Sequence, residues 1–416
     1  MSALQQYRHW FIPALGFFVV LLVALVEAGS DNDFRIYLAA SNDIFAGKDI
    51  YTESYKNGFH YLYSPLFAVL IYPFHFLPLY GAQFAWVLIN AVLFFFSSRV
   101  LLKWSGVMDL PARQRNIVIA LWLIFLLRFL RDNFHYGQVT ILLLFLVVQG
   151  MEWVRQGRVF AGAALIALGI NFKIFPVVLL PYLFYRGQFR ALLMIIAWWA
   201  FLLFLPALVL GFSQNKLLLQ DWFVHIDPTN RVHLVDTEET TFCSLTTLVP
   251  ALLMKTVPDP YALHLPRNIA DLPPGQVILI LNIIRAALII FTFYFLRPAP
   301  FRPSDNRTQD LWAISYLMLV VPLIFPHQQA YSYYLLSPAA LYCLVYLAGA
   351  GREKGYYLRV MLLTLAALCF NVYIIAGEFN PYFEHYKIVT YGGLISGVLL
   401  AICRPRKFTF TPPASG

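Results

Sequence analysis

The feature that most constrains this chain is the recurrence, from end to end, of apolar stretches approaching 20 residues in length. An α-helix rises 1.5 Å per residue, so about 20 apolar residues cross the ~30 Å hydrocarbon core of a bilayer. Such stretches fall at 10–29, 82–102, 116–131, 137–154, 159–172, 174–185, 189–211, 276–297, 310–326, 331–349, 358–377 and 388–403. Hydrophobic residues make up 60% of the chain and charged residues 12%, about half the charged share of a soluble domain. The pattern predicts an all-α polytopic membrane protein with about 12 transmembrane helices. Trp10 to Gly29 is longer than a typical signal-peptide core and leads to no small-x-small cleavage site before a soluble domain, so it reads as the first span.

One further apolar stretch, Tyr63 to Leu79, carries Pro65, Pro73, Pro78 and His75, and charge parity decides its fate. If it does not cross, the loops on the N-terminal side hold Arg8, Lys103, Arg113, Arg115, Arg155, Arg158, Arg186, Arg190, Arg297, Arg302, Arg307, Arg352, Lys354, Arg359, Arg404, Arg406 and Lys407. Only Asp109, Glu152, Asp305, Asp310 and Glu353 share that side, and the other 16 of the 21 acids face the opposite way. Cytoplasmic loops are rich in Lys and Arg, so both termini are expected inside, and 63–79 is expected to be a juxtamembrane or re-entrant segment at the outer face. The net charge of +9 then reflects topology and gives no reason to expect nucleic acid. Two long outer loops follow, 30–80 and 212–275, within one domain covering 1–416. Phe34, Tyr37, Leu38, Ile44 and Phe45 recur at helical spacing in the first loop, as in an in-plane helix. The short pair 159–172 and 174–185 reads as a tight hairpin turning around Asn171 and Lys173.

Four polar groups are expected at the outer boundary. Asp31 and Asp33 follow the first span. A carboxylate at a partly dry interface suits a general base for a hydroxyl, and it equally suits a helix N-cap. Arg128, Arg131, Asp132, His135 and Gln138 lie where the third span meets the fourth. An arginine inside an apolar run faces a partner or a cavity, snorkels to the interface, or binds phosphate with its planar fork. Lys173 is an outward lysine against the basic-inside trend, which an anionic ligand or an ion pair with the first loop would explain. His327, in Phe325-Pro326-His327-Gln328-Gln329, is either a phosphate donor or a helix-end cap. Arg285 sits near the middle of a span with no clear role. The four cysteines, Cys243, Cys343, Cys369 and Cys403, show no zinc or disulfide spacing. No Walker motif, HExxH or Gly-rich dinucleotide fingerprint occurs, so no metal or cofactor is expected.

The order of these groups resembles the GT-C superfamily of membrane glycosyltransferases, and within it glycosyltransferase family 87. The likeness rests on Asp33-Phe34-Arg35-Ile36-Tyr37-Leu38-Ala39-Ala40 followed by Gly47-Lys48-Asp49-Ile50-Tyr51, and on Tyr63-Ser64-Pro65-Leu66-Phe67, Gly137-Gln138-Val139, Lys173-Ile174-Phe175-Pro176 and Pro326-His327. It covers about residues 10–345 and departs in the second outer loop, where Asp236 to Ser244 stands in place of the family's Asn-Gln-Ser. The resemblance implies a GT-C fold with outer-face juxtamembrane helices. It also implies transfer of a hexose, with mannose the first expectation, from a polyprenyl-phosphate sugar to a lipid- or glycan-linked acceptor hydroxyl, with inversion, in the cell membrane. Asp33 would be the base, with Asp31 competing. Arg131, Lys173, His327 and Arg128 would hold the donor phosphate, and Tyr37, Gln138 and Glu239 would be acceptor or secondary residues. A lipid-glycan transporter or flippase is the rival class. It would show mid-bilayer charges and paired repeats, and only Arg285 fits that description.

Overall fold

The computed structural model describes residues 20–55, 58–227, 241–255, 263–296, 300–302, 306–349 and 353–405. Among them there is no strand. Of the first apolar stretch, residues 20–27 are helical and 10–19 lie outside the described residues. The first loop then folds into α1 (Phe34–Phe45), α2 (Pro65–Ile71) and a 3₁₀ extension, Tyr72–Phe76. At 12 residues, Pro65–Phe76 falls well short of the roughly 30 Å a span needs, as charge parity anticipated. Its start is set by Ser64, which caps the amide of Phe67, and by proline in the first turn, where a missing N–H costs nothing. α1 is more deeply buried than an in-plane surface helix: Phe34, Ile36, Tyr37, Leu38, Ala40, Ser41 and Ile44 are all inside, and only Phe45 of the expected stripe points out.

The long helices follow in chain order: α3 (Leu79–Ser105), α4 (Ala112–His135), α5 (Thr140–Arg155), α6 (Val159–Phe172), α7 (Leu179–Tyr185) and α8 (Phe189–Phe204). A short turn, Ala207–Leu210, continues α8 past Pro206, where the ring interrupts the helical ladder. α9 (Phe212–Ile226) and α10 (Leu245–Leu253) belong to the second loop. They are followed by α11 (Pro274–Leu296), α12 (Arg307–Ile324), α13 (Ser337–Gly349), α14 (Tyr356–Ala376), α15 (Asn380–His385) and α16 (Ile388–Ile402). Five helical stretches among the described residues are long and apolar enough to cross a bilayer: Leu79–Ser105, Phe189–Leu210, Pro274–Leu296, Ala330–Gly349 and Tyr356–His385. Burial sorts them. Ala330–Gly349 has 83% of its apolar window inside the protein and forms the bundle centre, whereas Tyr356–His385 has 11%. Phe201, Phe204, Ile290, Phe293 and Leu368 of the peripheral helices are exposed, as a lipid-facing surface requires.

Two features fix the bundle. Gly150 on α5 and Gly162 on α6 let the backbones touch: a Cβ on Gly162 would lie 2.6 Å from the Gly150 carbonyl oxygen. Such small-residue contacts are the usual way membrane helices approach closely. Carboxylates then tie the helix ends. Glu152 accepts from Lys103 at 2.5 Å, Trp104 at 2.7 Å and Gln156 at 2.7 Å, and Asp310 is held by Arg155 and Tyr182, with Arg186 at 4.0 Å. Gln138 precedes α5 and Arg155 ends it, 16 helical residues or about 24 Å away. α6 and α12 likewise start at Arg158 and Arg307 and end beside Lys173 and Phe325-Pro326-His327. The arginine-rich helix ends and the expected site residues therefore occupy opposite ends of the bundle.

Candidate active site

Asp33 and Asp31 take different surroundings. Asp33 sits at the N-cap position of α1, yet its side chain makes no cap hydrogen bond. Its Oδ2 instead accepts from Gln138 Nε2 at 2.6 Å, and its amide donates to the Tyr136 carbonyl at 3.1 Å. Asp31 is exposed, and pairs with the half-buried Arg35 at 3.4 Å. The capping alternative thus does not account for Asp33. Gly137 makes the seat possible. Its φ is +64°, and a Cβ there would press to 3.2 Å from both Asn32 and Phe34, so the α4–α5 turn can lie directly on the 32–34 strand of loop. Trp86 Nε1 donates to the Gly137 carbonyl at 2.8 Å, and Gln83 donates to Ser30 O and Asn32 Oδ1 at 2.8 and 3.0 Å. The bonds in this seat join three stretches of chain, the 30–33 loop, α3 and the α4–α5 turn, and buried amides placed this way hold one geometry.

Lys173 reaches the same region from the α6–α7 turn, where the chain leaves α6 in an extended conformation. Its Nζ stands 5.6 Å from the Tyr63 ring centroid and 4.6 Å from that of Phe175, within cation–π range. Burial pushes its ammonium down to about 8, with the Asp33 charge opposing the shift. Tyr63 and Tyr37 share a hydroxyl–hydroxyl bond of 3.0 Å, and burial holds Tyr37 well above the ordinary phenol range. Ser64 donates to Asn171 Oδ1 at 2.7 Å, locking the turn before α2 to the turn that carries Lys173. A neutral tyrosine pair, a carboxylate and a cation therefore face one another.

His327 occupies a left-handed backbone conformation, φ 54°, and its ring packs edge-on against Phe242 at 5.3 Å. Phe325 packs on Phe175 at 5.0 Å, so the α12 terminus and the Lys173 turn share a wall. Arg128 is buried, 3.4 Å from Asp132 Oδ2, with its guanidinium 4.3 Å over the Tyr373 ring. Both line a part-open cavity of about 60 Å³ together with Tyr136, Tyr331, Glu384 and Lys387. Arg131 is half exposed, 3.8 Å from Asp132, and is not part of that lining. Glu239 lies outside the described residues. Arg285 is buried in α11 with Nε and Nη2 unbonded, remote in sequence from every element of this site.

Sequence reasoning did not single out Tyr63, Asn171, Glu384 or Lys387 as site residues. Tyr63 and Asn171 lay inside stretches already noted, and their polar atoms beside a lysine were the available signal. Glu384 lies at the end of α15 and Lys387 just before α16, some 250 residues from Arg128 in the chain, and only the fold brings them together.

A helical membrane bundle with a hydrogen-bonded carboxylate and a half-buried lysine at one end defines the class. The chain belongs to glycosyltransferase family 87, whose model matches residues 61–326. It is 30% identical over 162 residues to a Mycobacterium tuberculosis (strain ATCC 25618 / H37Rv) protein named polyprenol-phosphate-mannose-dependent alpha-(1-2)-phosphatidylinositol mannoside mannosyltransferase. That stretch is 36% of this chain and 36% of the relative, so just over a third of the relative's length is matched. The family match contains Gln138, Lys173 and Arg128; Asp33 lies before it and His327 just after it.

Proposed function

We propose that this protein transfers a hexose, mannose in the first instance, from a polyprenyl-phosphate sugar to an acceptor hydroxyl at the outer face of the cell membrane. The reading adopts a GT-C architecture of about 12 spans with both termini inside, which the opposed acidic and basic ends support. The observation that carries it is Asp33, half-buried, held at 2.6 Å by Gln138 and within electrostatic reach of Lys173. The Gln138 amide holds the carboxylate in one orientation through Oδ2. Asp33 takes the hydroxyl proton as the acceptor oxygen attacks the anomeric carbon, and the bond from that carbon to the phosphate oxygen breaks on the opposite face, inverting the centre. The electron pair leaves with the polyprenyl phosphate, which becomes a dianion and needs opposing charge more than a proton. Lys173 is placed to supply that charge and His327 shares its wall; Arg131, exposed at the end of α4, suits headgroup contact. The neutral Tyr37–Tyr63 pair would face the sugar. The relative named as polyprenol-phosphate-mannose-dependent supports the choice of donor.

Membranes containing the protein, incubated with polyprenyl-phosphate mannose labelled in the sugar, should form a labelled glycoconjugate absent from membranes without it. Label that remains entirely in the donor, or that merely crosses the bilayer, would replace this reading by the flippase one.

A further inference from the structure

A cavity beside the Asp33 seat is built differently from a phosphate site. It abuts the seat directly: Tyr136, whose carbonyl accepts from the Asp33 amide, forms part of its wall. Two cations, Arg128 and Lys387, and two carboxylates, Asp132 and Glu384, line it. Arg128, Asp132 and Lys387 are at most 6% exposed. Among the described residues the charged lining is therefore balanced. An anion entering would be attracted by two groups and repelled by two, with the desolvation cost of a buried charge unrecovered. A neutral polyol suits all four, because each sugar hydroxyl both donates and accepts.

The geometry leaves room for such hydroxyls. Asp132 reaches Arg128 and Arg131 only at 3.4 and 3.8 Å, longer than a charge-assisted hydrogen bond of about 2.7–2.9 Å, and Arg128 Nε is buried without a hydrogen-bond partner. A bridging hydroxyl would satisfy both. Tyr331 and Tyr373 are also part of the lining, and aromatic rings beside polar groups are the usual make-up of a small-molecule site. A volume of about 60 Å³ is that of roughly four waters, enough for a cluster of ring hydroxyls.

Lys387 is held for this position. It adopts φ 54°, a conformation costly for a lysine. The turn is fixed by the Lys387 amide on Glu384 O, the Thr390 amide on Lys387 O, and Arg267 on the His385 carbonyl at 3.2 Å. Such strain persists where surrounding bonds over-determine it.

We infer that this cavity is the acceptor subsite, that the acceptor presents an uncharged sugar or other polyol there, and that Asp132 and Lys387 determine its specificity. The inference rests on the proposed transferase reading. A two-arm binding experiment on the purified full chain in lipid nanodiscs separates the two. Titration with farnesyl phosphate tests the donor reading: binding should survive Asp132→Asn and Lys387→Gln and fall at least tenfold in Lys173→Ala. Titration with octyl α-mannoside, β-glucoside and β-galactoside tests the subsite. At least one should bind the unmodified protein, bind at least tenfold more weakly to Asp132→Asn and Lys387→Gln, and bind unchanged to Lys173→Ala, with octyl phosphate unable to displace it. Unfolding midpoints establish that each variant is folded, and Lys387→Arg should restore part of the glycoside affinity. Failure of every glycoside to bind, displacement by octyl phosphate, or affinity unchanged in both cavity variants overturns the subsite while leaving the farnesyl phosphate arm to stand or fall alone.

Discussion

Two aspartates separated by one residue differ in everything that matters for proton transfer. Asp31 meets solvent and Arg35, while Asp33 meets a buried amide and lies within electrostatic reach of a half-buried lysine and two neutral phenols. The Gln138 amide restricts the carboxylate to one orientation, and a hydrogen bond to a charged group contributes about 1.5–3 kcal/mol. Gln138→Leu should therefore lower kcat roughly ten- to a hundredfold with the donor KM little changed, measurable by initial rates of label transfer. Lys173 gives a pH signature. With its ammonium pushed down to about 8, the side chain is charged below that pH and neutral above it. Donor KM should rise as pH climbs from 7.5 to 9.5, and Lys173→Gln should show an already raised, flat KM over that range. At this scale the sequence was informative where a polar residue broke a local trend. Lys173 violated the basic-inside pattern, and Asp33 and Gln138 flanked apolar runs. It was uninformative where meaning depends on a distant partner. Nothing near Lys387 points to Asp132, because the two meet at one cavity through the packing of α14 against α4 and of α16 against α14, not through local spacing.

Helix boundaries followed from apolar periodicity and breakers. The stretch 189–211 is interrupted where Pro206 stands, and the turn at Asn171–Lys173 falls where expected. The short Pro65–Phe76 was legible only through charge, since its apolar content alone matches a span. The deep burial of α1 was not legible: Ile36, Ala40 and Ser41 lie off the expected stripe yet are buried, because α2 and the Tyr72–Phe76 turn pack on the helix as well. Close approach of α5 and α6 depends on two glycines that carry no amphipathic signal. Gly162→Leu drives side-chain atoms into the Gly150 carbonyl and Val154, and such overpacking costs about 1–3 kcal/mol. The expected outcome is a lowered unfolding midpoint in detergent, with the loss smaller for Gly162→Ala.

Across the whole molecule the two ends of the bundle divide the labour. One end concentrates carboxylate, lysine and aromatic groups on the site. The other gathers arginines, and the acids that remain there are structural. Asp310 is the carboxylate that Arg155 and Arg186 both approach, and Arg186 is 1% exposed among the largest buried side chains. Asp310→Asn leaves a buried guanidinium without its counter-charge, a loss of about 3–5 kcal/mol that chemical or thermal unfolding would register, without altering the pH profile of transfer in protein that remains folded. The separation of arginine-rich helix ends from the acidic site residues was legible in the sequence, because loop charge alternates along the chain. Which side-chain atoms meet at the acidic end could be read only from the fold. The central claim concerns one carboxylate there, and initial transfer rates for purified Asp33→Asn and Asp31→Asn test it most directly. Removing a general base costs about 10²–10⁴-fold in rate, so Asp33→Asn should fall within that range with farnesyl phosphate binding retained, while Asp31→Asn stays within about threefold of the unmodified protein. Full activity in Asp33→Asn, or loss confined to Asp31→Asn, would contradict the account.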